Sequence, residues 1–178
     1  MTNRVQPKSI SIYDLVEGWS KGNGMSLRSC DMPSWEIIRI FLPWEHYPLG
    51  GGYFSAKDHG SSGVYLLIGL DADDDLSKPS TFNRICGQDR TGTLYIGEAS
   101  DLARRLNQLR RSAALRTERS HRAIQSLQSI WRLNYPIARL AVAFIRTGNN
   151  TRWIERDLIL AYINTFGDTP PLNYRFSL

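Results

Sequence analysis

The spacing of apolar positions changes several times along the chain, and each change marks an element. Val64 to Leu70 is a continuous apolar, β-prone run bounded by Gly63 and Asp71, which reads as a buried strand. Thr93 to Ile96 is a second, shorter run of the same kind. The residues between them, 71–92, are polar, carry Asp-Ala-Asp-Asp-Asp and Lys78-Pro79, and are expected to form a long loop. The period then becomes helical. Leu102, Leu106, Leu109 and Ala113 make one stripe of a helix that Ser100-Asp101 can cap and that reaches about Ser112. A second helix is expected from about His121 to Leu133, with Ile124, Leu127, Ile130 and Trp131 at helical spacing. Ile137 to Ile145 is a third strand and Thr147 to Asn150 a turn. Thr151 to Phe166 is a strongly apolar third helix, ended by Gly167, and Pro170-Pro171-Leu172-Asn173 is a rigid tail. The order β, β, α, α, β, α predicts an α/β (α+β) sandwich: a small, mostly antiparallel three-stranded central sheet flanked by helices.

Before residue 60 the texture differs. Ile12 to Trp19 is a short helical candidate and Lys21 to Ser29 is rich in Gly and Ser. In the segment Trp35 to Trp44, the residues Ile37, Ile38, Ile40 and Phe41 suggest a strand, and Pro48-Leu49-Gly50-Gly51-Gly52 is a loop. Trp19, Trp35 and Trp44 are expected in a core. Residues 1–60 therefore read as an N-terminal extension, a candidate recognition or dimerisation element, and 61–178 as the principal domain.

Composition narrows the function classes. At 178 residues, with 42% hydrophobic and 22% charged positions, the chain can bury a real core and does not resemble a disordered segment. No apolar run approaches the roughly 20 residues of a membrane span, and Met1 to Ile12 lacks an apolar signal core, so a cytoplasmic protein with no membrane partner is expected. Cys30 and Cys86 have no zinc-ligand spacing and read as reduced thiols. The net charge of +5 becomes informative through its distribution. Arg104, Arg105, Arg110, Arg111, Arg116, Arg119 and Arg122 fall within 19 residues, opposed only by Glu118. Arginine presents a planar fork of donors that matches phosphate oxygens, so this segment is a candidate nucleic-acid-binding surface.

Three local patterns carry candidate chemistry. Tyr65 and Tyr95 stand at equivalent places on the two strands, and strand alternation puts Tyr95 opposite Leu94 and Ile96. In a hairpin the two rings can share one face. On the first helix, at roughly 100° per residue, Arg105 falls beside the apolar stripe and Arg104 on the far side. Arg105 thus points along the helix–sheet seam, where a charge needs a reason to be. On the last helix Glu155 falls between Tyr162 and Ile159, a costly place for a carboxylate unless it is ion-paired, for example to Arg105, or bound to a metal. The acidic run Asp71, Asp73, Asp74, Asp75 reads as a solvated loop, and His46 and His59 are isolated.

These pieces, in order, resemble the GIY-YIG nuclease superfamily. Gly63-Val64-Tyr65 and Leu94-Tyr95-Ile96-Gly97 look like the two strands that name the family, and Gly97-Glu98-Ala99-Ser100-Asp101-Leu102 like the opening of its helix. Arg105 matches the family's helix arginine by spacing. His121, followed by Leu127-Gln128 and Trp131, resembles the histidine-led helix of homing-type members. Trp153-Ile154-Glu155 with Ile159 looks like the metal-binding glutamate helix, and Pro171-Leu172-Asn173 like the terminal motif whose asparagine supports the site. The likeness spans Gly63 to Asn173. It departs from the family in the long loop between the tyrosine strands and in Leu109, where some members carry a second histidine.

The resemblance implies a Mg2+-dependent endodeoxyribonuclease, with Mn2+ able to substitute. The metal would be held by Glu155 and otherwise by water and phosphate oxygen. Arg105 would clamp the phosphate, Tyr65 would accept the water's proton, Tyr95 would orient water or phosphate, and Asn173 would hold the pocket in register; His121 is a further candidate. The expected partner is double-stranded DNA, cut site-specifically as by a restriction enzyme, and a homodimer suits a palindromic site. Two alternatives stay open: a less selective repair or mobile-element nuclease, and a non-catalytic nucleic-acid-binding module.

Overall fold

The computed structural model describes residues 31–40, 44–52, 54, 60–115, 121–130, 133 and 135–174. Its elements, in chain order, are α1 (Trp35–Ile40), β1 (Glu45–Pro48), β2 (Gly63–Gly69), β3 (Phe82–Arg84), β4 (Gly87–Asp89), β5 (Thr93–Ala99), α2 (Leu102–Leu115), α3 (Arg122–Ser129), β6 (Leu140–Arg146) and α4 (Thr151–Phe166). Single 3-10 turns at Ile137–Arg139 and Gly148–Asn150 flank β6.

The central sheet is antiparallel in the order β1-β6-β2-β5. It has four strands, one more than expected. The addition, β1, is a short edge strand ending at Pro48, whose missing N–H an edge tolerates. β2 is central and buried along its whole length, which explains its unbroken apolar run. The sandwich has helices on both faces. On one, Val64, Leu66, Ile68 and Ile96 pack with Trp35 and Ile38 of α1, with Trp44, and with Ile154, Leu158, Tyr162 and Phe166 of α4. On the other, Tyr65, Leu67, Val142 and Phe144 pack with Leu102, Leu106 and Leu109 of α2 and Ala123, Ile124 and Leu127 of α3. Residues before position 60 contribute to both clusters, through Trp35 and Ile38 on one face and Leu49 on the other.

Two local expectations are corrected. The segment after Ser34 is a helix, not a strand. The Ser34 hydroxyl accepts from the Ile37 N–H and its carbonyl from the Ile38 N–H, while Trp35 and Ile38, three apart, are buried together. Capping and an i,i+3 apolar pair outweigh the β-preference of the isoleucines. The polar stretch 71–92 is not all loop, because β3 and β4 form a hairpin within it. Asp89 there is fully buried, accepting from the Thr91 N–H and hydroxyl at 2.6 Å each and from the Tyr162 hydroxyl at 2.6 Å, which ties the hairpin to α4. The acidic run is exposed at Asp73 and Asp74, whereas Asp71 pairs with Arg139 and Asp75 with Ser77 and Lys78. The candidates at Ile12–Trp19 and Lys21–Ser29 lie outside the described residues.

Candidate active site

The site is assembled at the open edge of the sheet, along β5. The register sets Tyr65 opposite Gly97 and Tyr95 opposite Leu67, so both phenols rise on the α2/α3 face as diagonal neighbours, ring centroids 6.0 Å apart. Gly97 makes this possible. A Cβ there would stand 2.5 Å from Tyr95 Cε1 and 2.7 Å from Tyr65 Oη. The strict alternation expected of β5 fails at one point. Its pairing with β2 shifts between Leu67 and Ile68, and Leu94 packs in the same cluster as Tyr95.

Helix phase brings Arg105 to the first phenol. Arg104 is exposed, whereas Arg105 is half-buried and donates from Nε to Tyr65 Oη at 3.3 Å and from Nη1 to Gln108 Oε1 at 3.2 Å. The helix start is capped as expected, the Asp101 carboxylate accepting from the Arg104 N–H at 2.9 Å. His121 caps α3. Its Nδ1 accepts from the Ala123 N–H at 3.2 Å, and its backbone N–H donates to Ser112 Oγ at 2.7 Å. Burial first, and Arg105 second, push its pKa down to about 3, so the ring is neutral. With Nδ1 an acceptor, the proton sits on Nε2, which donates to Tyr65 Oη at 2.8 Å. Tyr65 thus accepts from both His121 and Arg105. It is fully buried, and burial drives its pKa far up. Tyr95 is raised by burial first and by the Glu155 charge second, with Arg105 and the neighbouring Tyr65 hydroxyl opposing.

The carboxylates come from the other face. Counting two residues from Ile96 puts Glu98 on the α4 side of β5, opposite Val64. Glu155 on α4 lines the same cleft as Glu98 and lies near enough for the Glu98 backbone N–H and the Glu98 charge both to act on it. Burial and then the Glu98 charge raise Glu155 to about 7, with Arg105 and Arg152 opposing. Glu98 in turn accepts from Thr151 Oγ1 at 3.1 Å. The expected Glu155–Arg105 ion pair is absent: among the described residues no ion pair within 4.0 Å joins Glu155 to any base.

Asn173 completes the edge. Its side chain accepts from the Ile96 N–H at 2.9 Å and donates to the Ile96 carbonyl at 2.8 Å, and the Leu172 N–H donates to the Leu94 carbonyl at 2.9 Å. The tail therefore pairs with β5 as a short strand would, closing that part of the edge and leaving the part at Glu98 open.

Two clefts meet at Glu98. One, of about 580 Å3, is lined by Tyr95, Glu98, Glu155 and Asn173, with Arg122, Arg152 and Arg156 around them. The other, of about 530 Å3, is lined by Glu98, Asp101, Arg104, Arg105, Gln108 and Arg111. The six side chains singled out from the sequence (Tyr65, Tyr95, Arg105, His121, Glu155 and Asn173) thus lie in one neighbourhood. Of the basic candidates, Arg104 and Arg111 line one cleft and Arg122 the other, while Arg110 lines neither. Arg116 and Arg119 lie outside the described residues.

No protein-family model, curated protein or solved structure matches the chain. What the site can do is therefore read from its own chemistry. Two hard oxygen donors, held together with one of them pushed toward the protonated form, suit a divalent cation, which would satisfy both. Among the described residues no three His, Cys, Asp or Glu gather to hold a metal. Among the described residues no helix is long and apolar enough to cross a membrane. Glu98, Arg152 and Arg156 did not stand out in the sequence. The available signal was an acid at a strand position whose neighbours on the same face are apolar, and two arginines four apart in the first two turns of a helix that is apolar further on.

Proposed function

We propose that the chain is a divalent-metal-dependent endonuclease of the GIY-YIG type that hydrolyses phosphodiester bonds of DNA. The observation that carries this reading is the meeting, at one sheet edge, of a guanidinium-linked pair of phenols from one face with a pair of carboxylates from the other. Neither group has a structural need for the other. A phosphate lying across the edge would use both.

In this reading Glu155, with Glu98 beside it, holds Mg2+ or Mn2+; when bound, the ion supplies Lewis-acid relief of charge on the phosphate and on the departing oxygen. Arg105 keeps its charge at any working pH, and Tyr65 and Gln108 fix its fork so that it can meet a non-bridging oxygen as charge develops. Of the two phenols only Tyr95 lines the cleft, so Tyr95 meets the attacking water. Burial first, and the Glu155 charge second, raise its pKa, with Arg105, Tyr65 and Arg122 opposing. Neutralising Glu155 removes the second of these causes and leaves the first. Tyr65 and His121 stand behind Tyr95 as a hydrogen-bonded support, a different place for Tyr65 from the water-facing one expected of it. Asn173 holds β5 in register from outside.

The two arginine-lined clefts favour a polynucleotide over a small phosphate ester, because phosphates flank the reacting one on both sides. The test is to incubate the purified protein with duplex DNA, single-stranded DNA and RNA, with Mg2+ or with EDTA. Cutting of duplex DNA that requires the metal is expected, with a discrete fragment ladder from plasmid if the enzyme is site-specific. Binding without cutting in both Mg2+ and Mn2+ would replace this reading with that of a non-catalytic binding module.

A further inference from the structure

The cleft on the α4 side holds more positive charge than its acids require. Arg122 from α3 and Arg152 and Arg156 from α4 line it with Glu98 and Glu155. Among the described residues no ion pair within 4.0 Å joins any of the three arginines to either acid. Arg152 and Arg156 are one helical turn apart and so present their heads along one line. Arg156 is steadied from outside: its guanidinium lies 5.2 Å from the ring centroid of Trp153, while its Nε is shielded from solvent without a hydrogen-bond partner. Two of the large side chains exposed among the described residues flank this row, Trp153 at 63% and Tyr174 at 59%, and Tyr174 lines the cleft.

A row of oriented guanidiniums beside exposed aromatic faces is the chemistry of a polynucleotide track, cations for the phosphates and rings for sugar and base. We infer that this cleft is a subsite for the nucleotides flanking the cut phosphate on one side, with Arg152 and Arg156 as its phosphate contacts and Tyr174 as its stacking face. The Arg104–Arg111 cleft lies on the opposite side of Glu98 and takes the strand as it leaves the centre. The inference rests on the nuclease reading for the word "cut", but not for the binding itself.

The test uses the full chain and a labelled mixed-sequence DNA duplex of about 20 base pairs, with binding followed in EDTA over a range of salt. Each phosphate contact contributes about 0.9 to the slope of log affinity against log salt. The Arg152→Ala/Arg156→Ala variant is expected to lower that slope by about two and to bind about 10- to 100-fold more weakly at moderate salt. The Arg152→Lys/Arg156→Lys variant should restore the slope, since it restores the charges. For a single-stranded oligonucleotide, Tyr174→Ala should weaken binding about tenfold and Tyr174→Phe should not. Melting curves on each variant verify that it is folded; Arg152 and Tyr174 are exposed, so no core contact is lost. An unchanged salt slope in the folded double alanine variant overturns the subsite, and so does a slope that the lysine variant fails to restore. Adding Mg2+ to the same samples separates the two readings. Wild type that binds with the predicted slope but never cuts loses the nuclease reading and keeps the track. Wild type that cuts while the alanine variant binds and cuts equally well keeps the nuclease and loses the track.

Discussion

The two faces of the central sheet are built to different ends. Toward α1 and α4 the sheet shows Val64, Leu66, Ile68 and Ile96, an apolar surface met by Trp35, Ile38, Ile154 and Leu158. Toward α2 and α3 it shows Tyr65 and Tyr95, whose oxygens are threaded to His121 and Arg105. Both faces gain stability by burying apolar area; the second gives up part of its gain to desolvate a phenol, an imidazole and half a guanidinium. The carboxylates are the exception that relates them. Glu98 and Glu155 belong to the apolar face yet lie at its rim, where the open edge of β5 lets them join the polar one. The contrast separates residues that hold the fold from residues held by it.

Substitution should separate the two in experiment. The largest effect is expected from Arg105→Ala and Glu155→Ala, each lowering DNA cleavage by roughly 1000-fold or more while the melting temperature stays within a few degrees. A Glu155→Ala protein that still cuts in Mg2+ would remove the metal assignment. Next comes the apolar face: Leu158→Ala should cost about 2–5 kcal/mol of unfolding free energy in a urea titration, with the rate per folded molecule unchanged. Loss of rate without loss of stability there would erase the distinction between the faces. Gly97→Ala is intermediate, because its methyl group must displace Tyr65 and Tyr95. A destabilisation of about 1–3 kcal/mol is expected, together with a fall in cleavage larger than that stability loss explains.

The smallest effect is one of pH. Glu155 is raised in the folded protein to about 7, from a reference value of 4.5. The folded state therefore holds this proton more tightly than the unfolded chain does. The resulting stability is fully present below about pH 4.5 and is lost as the pH rises through about 7. With allowance for the partial exposure of the group, the loss is about 1 kcal/mol. Melting wild type and Glu155→Gln at pH 5 and pH 8 without metal should show wild type losing this amount relative to the variant, the gain from His121 being common to both, and Mg2+ should restore it at pH 8. Equal pH dependence in the two proteins would mean that Glu155 does not titrate there.

Much of the fold was legible because its strongest signals are periodic. The β2 run is apolar throughout since both faces of a central strand are covered, and α4 was readable from Thr151 to its Gly167 cap. The parts that were not legible are those where a tertiary partner overrides local preference. Ile37, Ile38 and Ile40 favour a strand until Ser34 caps them into a helix. Asp89 looks like loop until Tyr162 reaches it. For the site, strand pairing put Tyr65 beside Tyr95 and helix phase pointed Arg105 and Glu155 at apolar seams, while His121 and Asn173 entered only through the family resemblance. The sequence could not place Glu98, because an acid after Gly97 is unremarkable until α4 sets Glu155 against it. Nor could it assign the phenols, because which of Tyr65 and Tyr95 meets solvent depends on where α3 lays His121.

The central claim is that the carboxylate at position 155 holds the metal for a cut made at the β5 edge. Single-turnover cleavage of duplex DNA by wild type and Glu155→Gln, compared over a Mg2+ titration with melting checked in parallel, tests it most directly. Wild type should cut with a rate that saturates in Mg2+, and the variant should stay folded and inactive throughout. Equal cutting by both proteins, or none by folded wild type at any Mg2+ concentration, would contradict it.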